Sequence, residues 1–126
     1  MNKQIIKTSN APDPIGPYSQ AVKAGGMLFI SGQIAIKPGT SELITDDIRK
    51  ETEQVMANLK AILTEAGLGF ENVVKTNIFL KDMSLFAAVN EVYGKSFISD
   101  FPARETVAVK GLPKDVNVEI SMIGAE

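Results

Sequence analysis

Histidine, cysteine and tryptophan are all absent from this chain of 126 residues. Without histidine or cysteine, the chain has no Ser-His-Asp triad, no Cys-His pair and none of the usual ligands for zinc or iron–sulfur clusters. Redox chemistry based on thiols is excluded for the same reason. Any acid–base chemistry must therefore be carried by Glu, Asp, Lys, Tyr, Ser, a backbone group or water.

Long apolar runs and a strong charge of either sign are also missing. No run approaches the roughly 20 apolar residues that a membrane span needs, and the N-terminus lacks the apolar stretch of a secretory signal. The formal net charge of −2 offers no basic surface for a nucleic acid. Hydrophobic and charged residues make up 44% and 22% of the chain, as in an ordinary soluble domain. We therefore expect one cytoplasmic domain over residues 1–126, with no membrane or nucleic-acid partner.

Hydrophobic periodicity predicts two helices. One begins at Thr45 or Asp46, either of which can cap it, and ends at Gly67. The other spans about 84–97, with Asp82 or Ser84 as its cap.

Alternating apolar residues predict four strands, at 27–36, 73–81, 104–110 and 116–124. The order of strands, helix, strand, helix and strands predicts an α+β fold. We expect a two-layer sandwich in which both helices cover one face of a single sheet.

Each predicted strand presents alternate side chains to opposite faces of the sheet. The set expected to face the helices is Leu28, Ile30, Val74, Ile78, Leu80, Val107, Val109, Val116, Val118, Ile120 and Met122. The opposite set is Phe29, Ser31, Gln33, Asn77, Phe79, Arg104, Thr106, Ala108, Asn117, Glu119, Ser121 and Ile123. This second face is too polar for a monomer's core and too apolar to be left wet, so we expect a subunit interface there. A shift of one residue in any strand would invert the assignment.

Three residues of the second set could act on a small organic acid. The guanidinium fork of Arg104 matches a carboxylate. The carboxylate of Glu119 can take a proton from water and return it, and the hydroxyl of Ser31 can donate to an oxygen or a developing anion. The three groups together suit an acid with a hydrolysable carbon–nitrogen bond.

A purely structural interpretation stays open at this point. Arg104 and Glu119 could pair with each other across an interface. Asn90 could be a solvated helix residue and Tyr18 an anchor of its loop.

Several motifs, spread over nearly the whole chain, resemble those of the reactive intermediate deaminase (RidA) family. They are Gly16-Pro-Tyr-Ser-Gln-Ala21, Phe29-Ile-Ser-Gly-Gln-Ile34, Val74-Lys-Thr76, Phe79-Leu-Lys-Asp82, Val89-Asn-Glu-Val-Tyr93, Phe101-Pro-Ala-Arg104 and Leu112-Pro-Lys-Asp-Val-Asn-Val-Glu-Ile120. The resemblance implies a chorismate-mutase-like fold in a homotrimer, with sites in the clefts between subunits. It also implies the deamination of 2-aminoacrylate, 2-aminocrotonate and their imine tautomers, which arise when pyridoxal-phosphate enzymes dehydrate serine or threonine. The deaminase itself is expected to use no cofactor.

The resemblance also assigns catalytic roles to residues of this chain. Arg104 matches the arginine that holds the substrate carboxylate, and Glu119 matches the glutamate that positions and activates the attacking water. One position departs from the family pattern, because the residue after the arginine is usually small and here it is Glu105. By alternation, we expect Glu105 to point away from Arg104, toward the helices or a strand end.

Five further positions match the lining of the family's pocket. Tyr18, Ser31 and Asn90 match side chains that line it. Gly32 matches a glycine whose missing side chain lets the backbone approach the ligand. Thr106 lies where many relatives have cysteine or another small residue, with its backbone toward the ligand.

These matches predict a 2-iminobutanoate/2-iminopropanoate deaminase that releases 2-keto acids and ammonia. Two alternatives remain: a non-catalytic regulatory protein that binds small carboxylates, and an endoribonuclease or translation inhibitor. The acidic net charge and the absence of histidine argue against the third.

Overall fold

The computed structural model describes residues 2–126. Its elements in chain order are β1 (Gln4–Ile6), β2 (Ala21–Ala24), β3 (Met27–Gln33), α1 (Ile48–Glu65), β4 (Val73–Leu80), α2 (Phe86–Gly94), β5 (Ala103–Ala108) and β6 (Val118–Ala125). Short 3-10 turns lie at 70–72, 83–85 and 113–115. Strands β1 and β2 were not predicted, because three or four residues are too few to show an alternation.

The strands form one six-stranded sheet in the order β1-β2-β3-β6-β4-β5. Neighbouring strands are antiparallel except β4 and β5, which are parallel and joined through α2. Buried side chains of α1 and α2 form one core with those of β3, β4 and β6. The prediction of an α+β sandwich, with two helices on one face of a mixed sheet, is confirmed.

The first helix begins later than predicted. Its N-cap is Asp47, whose carboxylate accepts hydrogen bonds from the backbone N–H groups of Arg49 (2.8 Å) and Lys50 (3.3 Å). The assignment of Thr45 or Asp46 as the cap is therefore wrong. At the other end Gly67 has a φ of 78°, which ends the helix as expected.

Two irregularities in the sheet change which way a side chain points. The register of β3 against β6 shifts between Ile30 and Gln33, and Gln33 is then opposite Ile120 and 6% exposed. The register of β4 against β6 shifts between Val73 and Lys75, and Val74 is left 45% exposed. Strict alternation predicted the wrong face at both positions. An irregularity adds a residue to one strand, so the side chains beyond it point to the opposite face.

The predicted orientation of β5 is inverted. Arg104 lies opposite Thr76, and Thr106 lies opposite Ile78, so both face the helix layer. Val107 lies opposite Phe79 on the other face and is 44% exposed.

The prediction that Arg104 and Glu119 project from the same face is therefore wrong within one chain. Along β5 the even-numbered residues and the odd-numbered residues each include one charged side chain beside small or apolar ones. Hydrophobicity therefore does not indicate which set of this edge strand faces the core.

One face of the sheet is not covered by the helices, and we call it the open face. Its side chains include Phe29, Lys75, Phe79, Glu105, Val107, Glu119, Ser121 and Ile123. All of them are exposed or partly exposed in the single chain. The mixed character expected for this face is confirmed in β3, β4 and β6, except that Gln33 is buried opposite Ile120 and Val74 is exposed. None of the helices within residues 2–126 combines the length and the hydrophobicity that a membrane span needs.

Candidate functional site

The predicted site residues fall into two separate groups. Tyr18, Ser31, Gly32 and Glu119 line one cleft, which we call the Glu119 cleft. Asn90 and Arg104 meet on the other side of the sheet, against α2.

The Glu119 cleft is about 370 Å³ in volume. It lies where the loop before β2 meets the irregular end of β3 and the start of β6. Its lining includes the apolar residues Ile15, Ile34, Ile36 and Pro113 beside the polar groups named above. A mostly apolar cleft with a few polar groups is typical of a site for a small organic ligand.

Glu119 is the ionisable group with the most distinctive surroundings in this cleft. Its side chain is half-buried, and it has no hydrogen-bond or ion-pair partner in the part of the chain that the structure describes. Burial raises the pKa of the Glu119 carboxyl group. A carboxylate whose pKa is raised is a better proton acceptor than an ordinary glutamate at neutral pH.

Two other polar side chains of the cleft, Ser31 and Tyr18, already take part in hydrogen bonds within the chain. The hydroxyl of Ser31 donates to the carbonyl oxygen of Ser19 at 2.6 Å, so a ligand would meet its lone pairs rather than its proton. The phenolic oxygen of Tyr18 accepts from the backbone N–H of Ile15 at 3.3 Å, and its own proton remains free to donate. The expected donor at Ser31 is therefore occupied, and Tyr18 both anchors its loop and exposes 49% of its surface.

Gln20 was not among the predicted site residues, although it fixes one wall of the cleft. It is 2% exposed. Its amide nitrogen donates to the carbonyl oxygens of Thr8 (3.0 Å), Ala11 (3.3 Å) and Pro12 (2.8 Å), and its oxygen accepts from the N–H of Thr8 (2.7 Å). A glutamine beside a loop gives no signal of this role in the sequence, because all its partners are backbone groups.

Arg104 extends from β5 over α2, where its contacts run from Phe86 to Tyr93. Its Nη1 donates to Oδ1 of Asn90 at 2.7 Å. Its Cζ lies 5.8 Å from the ring centroid of Phe86 and 5.1 Å from that of Tyr93, within the range of cation–π attraction. The hydroxyl of Tyr93 donates to Oγ1 of Thr76 at 2.9 Å. Burial raises the pKa of Tyr93.

Phe86 and Tyr93 were missed as partners of Arg104. Together with Asn90 they occupy positions i, i+4 and i+7 of α2, a spacing that places them on one face of the helix. Thr106 is next along the same face of β5. Its Oγ1 is buried and has no hydrogen-bond partner within residues 2–126.

Glu105 points away from Arg104, as predicted, but toward the open face rather than the helices. There it forms an ion pair with Lys75. Its carboxylate is therefore not part of the Arg104 group.

The comparisons with known proteins give the family. Residues 8–126 match the family described as Endoribonuclease L-PSP. A RutC family protein of Pyrococcus horikoshii is 54% identical over 121 residues, which cover 96% of each chain. A 2-iminobutanoate/2-iminopropanoate deaminase of Dermatophagoides farinae is 47% identical over 121 residues, which cover 96% of this chain and 94% of that one.

Solved structures agree with the sequence comparisons. The crystal structure of RidA from the Antarctic bacterium Psychrobacter sp. matches with a TM-score of 0.93 and 44% identity, covering 98% of this chain and 99% of that one. The fold, the motifs and the matches over nearly the full length point the same way, and the chain belongs to the endoribonuclease L-PSP family that includes RidA.

Proposed function

We propose that this protein hydrolyses 2-imino acids such as 2-iminobutanoate and 2-iminopropanoate to 2-keto acids and ammonia. The observation that carries the proposal is the Glu119 carboxylate, which lines a largely apolar cleft, is half-buried and has no partner among residues 2–126. Burial raises its pKa, as a proton-accepting group requires. The similarity to a named 2-iminobutanoate/2-iminopropanoate deaminase supports the same reaction.

The complete site would be formed by two copies of the chain in a closed homotrimer. Arg104 and Glu119 lie on opposite faces of the sheet, so one chain cannot bring both to one small substrate. The open face carries Phe29 and Val107, which are 46% and 44% exposed, and an apolar surface of this kind suits a subunit interface. We therefore assign the Glu119 cleft to one protomer and the Arg104 group to its neighbour.

The reaction needs one proton acceptor and one carboxylate anchor. An enamine first tautomerises to the imine, whose carboxylate is held by Arg104 through charge-assisted hydrogen bonds. Glu119 orients a water molecule and accepts its proton as the water oxygen bonds to C2. The nitrogen takes up that proton, which gives the carbinolamine. The carbinolamine hydroxyl then gives its own proton, through Glu119, to the amino nitrogen, the C–N bond breaks, and ammonia leaves a 2-keto acid. Holding the two reactants together and shuttling these protons would account for the acceleration, and no cofactor enters the balance.

The remaining residues would shape the pocket. Asn90 steadies Arg104 through the 2.7 Å bond, and Tyr18 presents a free phenolic proton toward the ligand. Gly32 leaves room for the Glu119 carboxylate. Ser31 would accept from the ligand, and the hydroxyl of Thr106, which has no partner within residues 2–126, lies beside Arg104. Because the substrates arise where dehydratases act on serine and threonine, we expect the protein in the cytoplasm.

The decisive experiment couples a purified threonine dehydratase to this protein and follows 2-ketobutyrate release, with and without semicarbazide as a competing trap for the imine. Wild-type protein should speed keto-acid release and lower the yield of trapped product. Arg104→Ala should abolish the effect, whereas Arg49→Lys should retain it. Arg49 is the matched control, because it is the chain's other arginine and pairs with Glu91 on the surface. Wild-type rates in Arg104→Ala would refute the role of Arg104.

A binding protein for small carboxylates is the second candidate. The observation that favours it is Arg104, which is ordered by Asn90 while no carboxylate within residues 2–126 pairs with it. Such a protein would bind 2-ketobutyrate equally well after Glu119→Gln and would not change the rate of imine hydrolysis.

A further inference from the structure

We propose that Phe86 and Tyr93 are positioning residues that hold the Arg104 guanidinium ready for a carboxylate before any substrate arrives. This inference deepens the proposed function and rests on its assignment of Arg104 as the carboxylate anchor. The two aromatic residues would act on the substrate only through the arginine.

The geometry comes from one face of α2. Residues 86, 90 and 93 recur at helical spacing, so both rings and the Asn90 amide face the same guanidinium. The Cζ of Arg104 is 5.1 Å from the Tyr93 centroid and 5.8 Å from the Phe86 centroid. At these distances the negative ring faces attract a cation.

The ring of Tyr93 is itself buried and hydrogen-bonded to the sheet. The residue is 4% exposed, and its hydroxyl donates to Oγ1 of Thr76 on β4 at 2.9 Å. The ring of Phe97 also packs against it, with the two ring centroids 4.9 Å apart. A platform fixed to both the helix and the sheet can order the long, flexible arginine side chain that lies over it.

The contacts that hold Arg104 come from neutral groups, so its positive charge stays available for a ligand. The four ion pairs among residues 2–126 involve other cations, and no carboxylate pairs with Arg104. A carboxylate in that position would compete directly with the substrate for the guanidinium fork. Two ring faces and one neutral amide orient the fork and keep it free for an anionic ligand.

Nuclear magnetic resonance can observe this arrangement directly, because the chain has only two arginines, Arg49 and Arg104. The Nε–H signals of ¹⁵N-labelled protein are assigned with Arg49→Lys. In wild-type protein, the currents of the nearby rings should shift the Arg104 signal upfield of the Arg49 signal. Titration with 2-ketobutyrate, a stable product of the proposed reaction, should move the Arg104 signal and leave the Arg49 signal in place.

Three variants separate positioning from general stability. Tyr93→Leu should remove most of the upfield shift and weaken 2-ketobutyrate binding by about 2- to 10-fold, since binding must then also order the side chain. Tyr93→Phe keeps the ring and should keep the shift, with an affinity within about twofold of the wild type. Phe86→Leu should give an intermediate loss. It alone decides the question if Tyr93→Leu does not fold, because Phe86 is less buried.

The outcomes distinguish this inference from the proposed function. An Arg104 signal and an affinity that stay unchanged in a folded Tyr93→Leu or Phe86→Leu variant would overturn the inference, even if the wild-type protein is an active deaminase. A protein that does not accelerate keto-acid release, but whose Arg104 signal responds to these variants as described, would refute the deaminase and leave the positioning role standing.

Discussion

The carboxylate of Glu119 lies directly against the backbone of Gly32. A Cβ atom built on Gly32 would come within 1.9 Å of Oε2 and 2.8 Å of Cδ of Glu119. Gly32 belongs to the irregular part of β3, where the register against β6 shifts between Ile30 and Gln33. The position of the proposed proton acceptor on β6 therefore depends on the absence of a side chain at Gly32 on β3, the neighbouring strand of the sheet.

Gly32→Ala should displace that carboxylate and lower kcat/KM for 2-iminobutanoate by about 100-fold, the effect of misplacing an acid–base group by roughly 1 Å. The free energy of unfolding should fall by less than about 1 kcal/mol, because the end of a flexible side chain can move into the open cleft. Gly111→Ala is the control, since a Cβ there meets nothing within 4 Å. Full activity in Gly32→Ala would show that this placement of Glu119 is not needed.

The pH dependence of the reaction should carry the signature of Glu119. Burial raises the pKa of this carboxyl group, and it must be ionised to accept a proton. Activity should therefore be lost as the pH falls through a pKa above the ordinary glutamate value of about 4.3. The measurement is kcat/KM against pH, with the rate in the presence of Arg104→Ala subtracted as background. An acid limb that persists in Glu119→Gln would assign it to another group.

The free energy of unfolding should also depend on pH through Glu119, in a direction that follows from its raised pKa. Because its pKa is higher in the folded state than in the unfolded state, its favourable contribution is complete below the unfolded pKa and is lost as the pH rises through the raised folded pKa. At neutral pH the wild type buries a charge that Glu119→Gln does not. Urea unfolding should therefore show the variant gaining more, relative to the wild type, near pH 7 than near pH 4. The reverse order would mean that the carboxylate is stabilised by a partner.

Long, strongly patterned segments made the fold predictable. The apolar spacing of residues 48–65 and the alternation of residues 118–125 identify α1 and β6 from local sequence alone. The motifs around residues 16–21 and 112–120 identified the family, which supplied the site residues that composition could not. The observed caps and strand ends differ from the predicted ones by one to three residues, because they depend on single hydrogen bonds such as those made by Asp47.

The direction of Arg104 could not be predicted because it depends on a tertiary choice. β5 is an edge strand with one neighbour, β4, and neither its even-numbered nor its odd-numbered residues are clearly apolar. What decides its register is the pairing of Arg104 with Thr76 and the fit of its guanidinium on α2. A pattern read along a single strand contains neither contact.

The wall of the Glu119 cleft should depend on Gln20. Gln20→Leu removes four hydrogen bonds to the backbone of residues 8–12. Leaving such buried groups unpaired should lower the free energy of unfolding by about 2–3 kcal/mol. Hydrogen exchange should rise across residues 8–18, and urea unfolding gives the stability. Gln4→Leu, at an exposed position of β1, is the control. If both variants lose the same stability, the buried bonds of Gln20 contribute nothing specific.

The division of the site between two copies predicts that two inactive variants will restore activity when mixed. Arg104→Ala retains Glu119, and Glu119→Gln retains Arg104, so an assembly containing both has some clefts with both native groups. In a closed trimer that contains both variants, roughly one cleft in three has both native groups, because only one of the three junctions joins them in the required order. The two variants, carrying different tags, are unfolded, mixed and refolded, and 2-ketobutyrate release is measured on assemblies that retain both tags. Each variant refolded alone supplies the background. If Arg104 and Glu119 served the same site from one chain, every chain in the mixture would lack one group, and activity would stay at that background.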